Sequence, residues 1–289
     1  MPELPEVEIV KRELQPHVQG RTIESVKVSD KVIVGHETGK RTIVKNDLDE
    51  FLEQVTGSQI ITVSRRGKYL NFALMRENHY FNLVSHLGMS GAYFVVDAPE
   101  MVTEPNYRTH THVTFKLSTG KYLVYSDIRR FGEMRIVPKI SEFQPFKEMA
   151  PEYNDAQSLA SFLDRASHER YKQMTIKQAI MDARVIPGVG NIYANEALFR
   201  SGISPVRKTS RVSIERLTRL HAEIIDILDE AIKRGGSTIS DYRNTSGESG
   251  TMQDRFLIYQ KKVCPNCQGE VQTKVINTRN SFYCRRCQR

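Results

Sequence analysis

Between Arg21 and Pro138 apolar and polar residues tend to alternate, whereas later in the chain apolar residues recur every third or fourth position. Alternation puts one face of a pleated strand against a core. It predicts strands at 23–28, 59–63, 69–74, 80–84, 92–96, 112–117 and 122–125, with Ser118-Thr119-Gly120 turning between the last two. Seven or eight such strands read as an antiparallel sandwich or barrel. Ahead of them Val7, Val10 and Leu14 share one helical face, Pro5 suits a first turn, and Gly20 lies just past the end. After Pro151 the period is helical. Helices are predicted over 156–166, 176–183 and 191–200, followed by a long one capped by Ser213 and ending near Lys233 before Gly235-Gly236. Its stripe of Leu217, Leu220, Ile224, Leu228 and Ile232 is ordinary core. Residues 237–253 are polar and glycine-rich, a loop length that is usually functional or disordered.

The chain has 289 residues, enough for about two domains with separate cores. Its 39% hydrophobic and 26% charged content fits an ordinary folded protein. No apolar run is long enough to span a membrane, and the N-terminus has no basic segment followed by an apolar one, so no membrane association and a cytoplasmic location are expected. The formal charge of +8 favours a polyanionic partner. Much of that charge lies in the tail, where eight basic residues from Arg255 to Arg289 face only Asp254 and Glu270. The excess survives even if the tail's four cysteines are thiolates on one Zn²⁺.

Three stretches carry chemistry of their own. Removal of Met1 would leave Pro2 as a secondary amine, able to attack an electrophilic carbon and form an iminium, with Glu3 beside it as a proton handler. The bland alternative makes Pro2 a stiff chain start and Pro5 a first-turn residue. Cys264-x2-Cys267-x16-Cys284-x2-Cys287 has the spacing of a closed four-thiolate Zn²⁺ site, structural because no position is left open for water. Between its pairs, 277–283 suggests a β-hairpin with Arg279 at the tip, where a guanidinium could meet a phosphate. Gly188-Val189-Gly190-Asn191 could aim backbone amides at an anion from a helix N-terminus, although such turns usually just join helices.

Other positions are weaker alone. Lys68 follows Arg65-Arg66-Gly67 and could be merely solvated. Met89, between glycines, and Phe131, beside Arg129, could wedge into a base stack or tuck into a sandwich rim. His110 and His112 alternate on a predicted strand and so share a face, which suits phosphate contact or plain surface.

Taken in order, 1–8, His86-Leu87-Gly88-Met89, the turn with Arg129 and Phe131, 188–193 and the four-cysteine tail resemble the bacterial formamidopyrimidine-DNA glycosylases over essentially the whole chain. The resemblance implies an α+β protein: an antiparallel β-sandwich with a leading helix (1–150), a helix-two-turn-helix domain (151–236), a lesion-capping loop (237–253) and a zinc-finger β-hairpin (254–289). It implies a monomeric repair enzyme acting on double-stranded DNA that contains oxidised purines or abasic sites. Pro2 would attack C1′ and expel the base, with Glu3 as its acid/base partner. Lys68 would transfer protons in β-elimination and Arg279 would serve δ-elimination. Met89, Arg129 and Phe131 would fill the gap left by the extruded nucleotide. His110, Arg129, Lys177 and Asn191 would contact DNA, and the loop with Ser237, Tyr242 and Gly250 would close over the flipped base.

The chain departs from the common pattern at Thr111, at Gln173 (where neighbouring Lys172 could supply the usual basic contact), at Ala183 and at the finger turn Asn277-Thr278. Two rivals stand beside this reading. One is an endonuclease VIII-like enzyme for oxidised pyrimidines, which usually has glycine where this chain has Leu4. The other is a zinc protein that senses damage without catalysis.

Overall fold

The computed structural model describes residues 2–40, 42–237 and 250–289. These form two compact units. One contains Pro2, 6–147 and the described part of 235–251; the other contains Glu3–Pro5, Glu148–Arg234 and Met252–Arg289.

The chain enters helix α1 (Leu4–Val18), which buries Val7, Val10, Leu14 and Val18. Strand β1 (Ile23–Val28) is followed by α2 (Asp30–Glu37) and α3 (Leu48–Val55). Next come β2 (Gln59–Arg66), β3 (Tyr69–Arg76), β4 (His79–His86) and β5 (Gly91–Val96), then α4 (Pro105–Thr109). The sheets are completed by β6 (Thr111–Leu117), β7 (Tyr122–Asp127) and β8 (Glu133–Val137). Two four-stranded antiparallel sheets result, ordered β1-β6-β7-β5 and β2-β3-β4-β8. Their inward residues, among them Ile23, Phe115 and Leu123 from one sheet and Ile60, Phe72 and Leu83 from the other, share one core, so this half is the expected sandwich. Alternation works on both faces of the first sheet. Tyr93 and Tyr125 enter the main core, while Ala92, Phe94 and Val124 meet Val102 and Tyr107 in a smaller cluster on the opposite side.

Helices α2 and α3 interrupt a region predicted to be mostly strand. Leu48, Phe51, Leu52 and Val55 recur at helical spacing, and Asp47 caps the amides of Asp49 and Glu50. The signal for α3 was present, though short. That for α2 is masked by the β-branched run Val32-Ile33-Val34 and by Gly35.

Helix α5 (Gln144–Glu148) ends the 6–147 stretch of the first unit, and the second unit contains α6 (Ser158–Ser167), α7 (Glu169–Lys172), α8 (Ile176–Ile180), α9 (Asn191–Arg200) and α10 (Ile214–Lys233). The last two match the predicted spans, and the Ser213 hydroxyl accepts the Arg216 amide as the cap. Helix α8 stops three residues short of the prediction. Helix α10 buries Leu217, Leu220, Ile224, Ile227, Leu228 and Ala231, and its His221 packs on Phe162 while bonding the Ser158 hydroxyl. The chain closes with the antiparallel hairpin β9 (Gln272–Ile276) and β10 (Arg279–Tyr283). Cys264 and Cys284 pack with Phe199, Ile258 and Val271 in a small core of their own.

Candidate active site

The turn between α8 and α9 is shaped around Glu3. The Leu4 amide donates to the Gly188 carbonyl at 3.1 Å. Gly188 has φ +90°, and a Cβ there would lie 2.5 Å from Leu4 Cβ. The Gly190 amide donates to Glu3 Oε2 at 2.7 Å, the Ile192 amide to Oε1 at 2.8 Å and the Tyr193 amide to Oε2 at 3.4 Å. The glycine turn at the α9 N-terminus is therefore an anion site, as its pattern suggested. The anion held by these amides is the chain's own carboxylate rather than a phosphate. Glu3 is almost completely buried.

Asn191, expected to reach DNA, binds within the same unit. Its Oδ1 accepts from Lys177 Nζ at 2.6 Å, and its side chain hydrogen-bonds Tyr259. Lys177 is fully buried and also donates to Ser281 Oγ at 2.7 Å and to the Asn280 carbonyl at 3.2 Å. Burial lowers its pKa from 10.5 to about 8; Glu3 opposes the shift and Arg279 adds to it. Two further α9 side chains hold the tail. Asn195 Oδ1 accepts the Phe282 amide at 2.8 Å. Glu196 accepts the amides of Leu257, Ile258 and Tyr259 at 2.7–2.9 Å, and burial raises its pKa against those bonds.

Arg279 is not at the hairpin tip. It is the first residue of β10 and pairs with Ile276, while Asn277 and Thr278 make the turn at φ +46° and +62°. The two-residue loop leaves only those positions outside the ladder. Arg279 lines an open groove with Thr278, Lys177, Gln178, Arg170 and Arg184. Lys172 pairs with Glu169 at 2.7 Å, and Gln173 receives Lys208 Nζ at 2.7 Å. A basic side chain thus reaches the Gln173 position from outside α7.

In the first unit Pro2 is buried, and Lys68 occupies the β2–β3 turn after Gly67 (φ +55°). Arg65, almost buried, donates to the Gly67 carbonyl at 2.9 Å and to Glu8 Oε2 at 3.0 Å. Burial raises the Glu8 pKa, but hydrogen bonds from Lys11, Arg12 and Arg65 bring it below the usual value. Burial, and then the Lys68 charge, push His86 down to about 4. A neutral His86 suits its geometry, because Nδ1 faces the Gly88 amide at 3.1 Å.

Met89 is half-buried, and the Arg129 guanidinium stacks 5.0 Å from the ring centre of Phe131, which is 41% exposed. The loops bearing them abut: a Cβ on Gly88 would lie 2.4 Å from Gly132 N. The paired reading of His110 and His112 needs correction. His110 caps α4 ahead of β6, with Nδ1 2.7 Å from the Asn106 carbonyl. His112 is buried between Ser29 Oγ at 2.9 Å and the Asp127 carbonyl at 3.2 Å, and burial lowers its pKa to about 4. Of the 237–253 loop, the Ser237 amide and hydroxyl donate to Glu6 Oε1 at 2.8 and 3.1 Å, and Gly250 lies against Gly236. Tyr242 lies outside the described residues.

The four cysteine sulfurs lie within 4.8 Å of one another, with Cys264–Cys287 at 3.7 Å and Cys267–Cys284 at 3.5 Å. A disulfide needs about 2 Å, whereas four sulfurs about 2.3 Å from one tetrahedral ion lie about 3.8 Å apart. The cluster fits a metal ion.

Sequence reasoning missed Arg65, Glu196, Asn195, Ser90 and Asp127. A charged residue at the edge of a glycine-containing turn was the available signal for Arg65 and Asp127. The pairing of Asn195 and Glu196 with the tail has no local signature.

Residues 1–134 match the formamidopyrimidine-DNA glycosylase N-terminal domain, and 149–243 match the formamidopyrimidine-DNA glycosylase H2TH domain. The chain is 39% identical to a formamidopyrimidine-DNA glycosylase of Rhodopseudomonas palustris and 37% identical to one of Geobacillus kaustophilus, with 100% of each chain covered in both cases. Among solved structures it is similar to the MutM (FPG) protein of Thermus thermophilus, with TM-score 0.82, 33% identity, and 99% and 98% of the two chains covered. It is also similar to a Lactococcus lactis FPG mutant in complex with Fapy-dG containing DNA, with TM-score 0.83, 30% identity and 99% of both chains covered. Among the described residues no helix is long and apolar enough to cross a membrane.

Proposed function

The chain belongs to the formamidopyrimidine-DNA glycosylase family of base-excision DNA glycosylases with abasic-site lyase activity, and we propose that it excises oxidised purines from duplex DNA through Pro2. The observation that carries this reading is the Glu3 carboxylate, buried and gripped by three backbone amides immediately next to Pro2. A carboxylate held so tightly beside a secondary amine is a fixed proton partner for a nucleophile.

The nucleotide must leave the stack before C1′ can be reached. With Met1 removed, the amine of Pro2, whose ordinary pKa near 8 leaves part of it unprotonated at neutral pH, attacks C1′. The glycosidic C–N bond breaks and the base departs with a proton. The C1′–O4′ bond of the sugar then opens, the ring oxygen taking a proton with Glu3 as the donor, and the resulting iminium at C1′ acidifies the C2′ proton. Its removal, with Lys68 as the proton-transfer group, breaks the C3′–O bond. Arg279, at the start of β10, serves the second elimination at C5′–O. Met89, Arg129 and Phe131 fill the vacated space in the duplex. His110, Lys172, Lys177 and Asn191 serve the DNA interface, Lys177 and Asn191 by bracing the finger hairpin. The loop of 237–253, anchored at Ser237 on Glu6 and including Tyr242 and Gly250, covers the extruded base. Cys264, Cys267, Cys284 and Cys287 hold one structural Zn²⁺, which fixes the hairpin that carries Arg279.

Borohydride added to the processed, metal-loaded protein and a duplex containing 8-oxoguanine or formamidopyrimidine should trap a covalent adduct that maps to Pro2. No adduct, or equal trapping by Pro2→Gly, sinks the assignment. Faster release of thymine glycol than of oxidised guanine would move it to the oxidised-pyrimidine branch.

A further inference from the structure

Asp127 closes β7 fully buried, and its carboxylate is the common reference point for the two loops that carry Met89, Arg129 and Phe131. Oδ1 accepts the Ser90 hydroxyl at 2.6 Å and the Arg129 amide at 3.2 Å. Oδ2 accepts the Gly132 amide at 2.7 Å and lies 3.5 Å from the Tyr125 hydroxyl. Ser90 Oγ in turn accepts the Arg129 amide at 2.9 Å, so one hydroxyl joins the residue after Met89 to the backbone of Arg129. The loops leave each other no slack. A Cβ on Gly88 would meet the Phe131–Gly132 peptide at 2.4 Å, and one on Gly132 would lie 1.8 Å from the Tyr125 hydroxyl. Arg130 sits between Arg129 and Phe131 at φ +54°, a conformation disfavoured for a side-chain-bearing residue unless its surroundings enforce it. The bonds to Arg129 and Gly132 on either side supply that enforcement.

We propose that Asp127 and Ser90 are positioning residues that lock the Met89 loop and the Arg129–Phe131 loop into one rigid wedge, so that the three side chains enter the duplex as a unit. This rests on the reading that those three fill the gap left by the extruded nucleotide. The carboxylate never meets DNA. It removes the entropy that two independent loops would lose on insertion, which makes extrusion faster and the contact opposite the lesion more selective.

The test uses the full-length, metal-loaded protein and the variants Ser90→Ala, Ser90→Thr, Asp127→Asn, Met89→Ala and Phe131→Ala. Extrusion is followed by the fluorescence of 2-aminopurine placed beside an 8-oxoguanine. Excision opposite cytosine and opposite adenine is compared, and cleavage of a single-stranded abasic oligonucleotide serves as a reference that needs no extrusion. Losing a hydrogen bond to a buried carboxylate should slow extrusion roughly tenfold in Ser90→Ala. The ratio of duplex excision to single-strand cleavage should fall by about the same factor, with a narrower cytosine-to-adenine preference, and Ser90→Thr should restore both. Asp127→Asn should behave like Ser90→Ala or worse. If Met89→Ala and Phe131→Ala slow extrusion while Ser90→Ala and Asp127→Asn do not, the coupling is refuted and the gap-filling reading stands. If Met89→Ala and Phe131→Ala extrude like the parent, the gap-filling reading itself fails. If Ser90→Ala and Asp127→Asn lose duplex and single-strand cleavage in equal proportion together with thermal stability, the two residues merely support the fold and the proposal is overturned.

Discussion

The Glu3 carboxylate and the Gly190 backbone fit each other to the exclusion of any side chain at residue 190. The amide donates to Oε2 at 2.7 Å, while a Cβ would fall 2.4 Å from Glu3 Cδ. The glycine therefore lets a helix N-terminus close around a carboxylate 187 positions away in the chain. Gly190→Ala should push that carboxylate off the three amides. Base release should fall by roughly a hundredfold, the order of a lost acid–base contribution. The melting temperature should change far less than activity. Single-turnover release of 8-oxoguanine by the variant, measured beside Glu3→Gln, checks this. Near-parental rates for Gly190→Ala would mean that the position of Glu3 is unimportant.

Arg65 ties the Lys68 turn to the first helix, bonding the Gly67 carbonyl and the Glu8 carboxylate together. Replacing it with Met keeps much of the buried stem but leaves the carbonyl without this donor. Strand cleavage at a preformed abasic site should slow roughly tenfold, in line with the loss of one charge-assisted bond. Release of the base, which uses Pro2, should slow less. Separate time courses for base release and nicking distinguish the two effects; equal slowing would show that Arg65 does not act through Lys68.

His86 sets a pH limit. Its folded pKa is about 4, whereas in the unfolded chain it would titrate near 6.5. Between those values the unfolded state binds more protons than the folded one, so the neutral ring's contribution is complete above pH 6.5 and is lost as the pH falls toward 4. Its size is roughly 3 kcal/mol at most. The parent should therefore lose more melting temperature between pH 7.5 and pH 5 than His86→Gln, which cannot titrate. Parallel curves for the two proteins would show that the ring is not buried neutral.

Thr278 occupies φ +62° in the finger turn, where a β-branched residue is strained and glycine is not. Thr278→Gly should stabilise the hairpin by about 1 kcal/mol. Slower amide exchange at Phe282 and slower loss of metal to a chelator should report it. Unchanged exchange would place the turn's strain elsewhere. Chelation of the parent should release one metal ion per chain and abolish protection of the hairpin.

How much of this was legible in advance varied with the range of the interactions. Alternation located seven of the eight sandwich strands but missed β8 (Glu133–Val137), and the 3.6-residue period with Ser213 located α10, because each depends on neighbours in sequence. The cysteine spacing announced the cluster for the same reason. The glycine turn signalled an anion site but could not say which anion, since Glu3 lies 187 positions away. Arg279 was placed one step from its true position because the turn is only two residues long. Lys177 was expected to contact DNA, yet its ammonium is buried inside the second unit. The partners that bury it, Asn191 and Ser281, come together only when α9 and the hairpin are assembled.

Helix α9 has a further consequence, one for how this chain can change over time. In ten residues it cradles Glu3 at its first turn, meets Lys177 through Asn191, grips the tail through Asn195 and Glu196, and ends at Arg200, which is paired with Glu230. Each residue along a helix turns the next by about 100°. Deleting or inserting a single codon there would swing every later attachment to the wrong side at once. The segment can drift by substitution but is closed to changes in length.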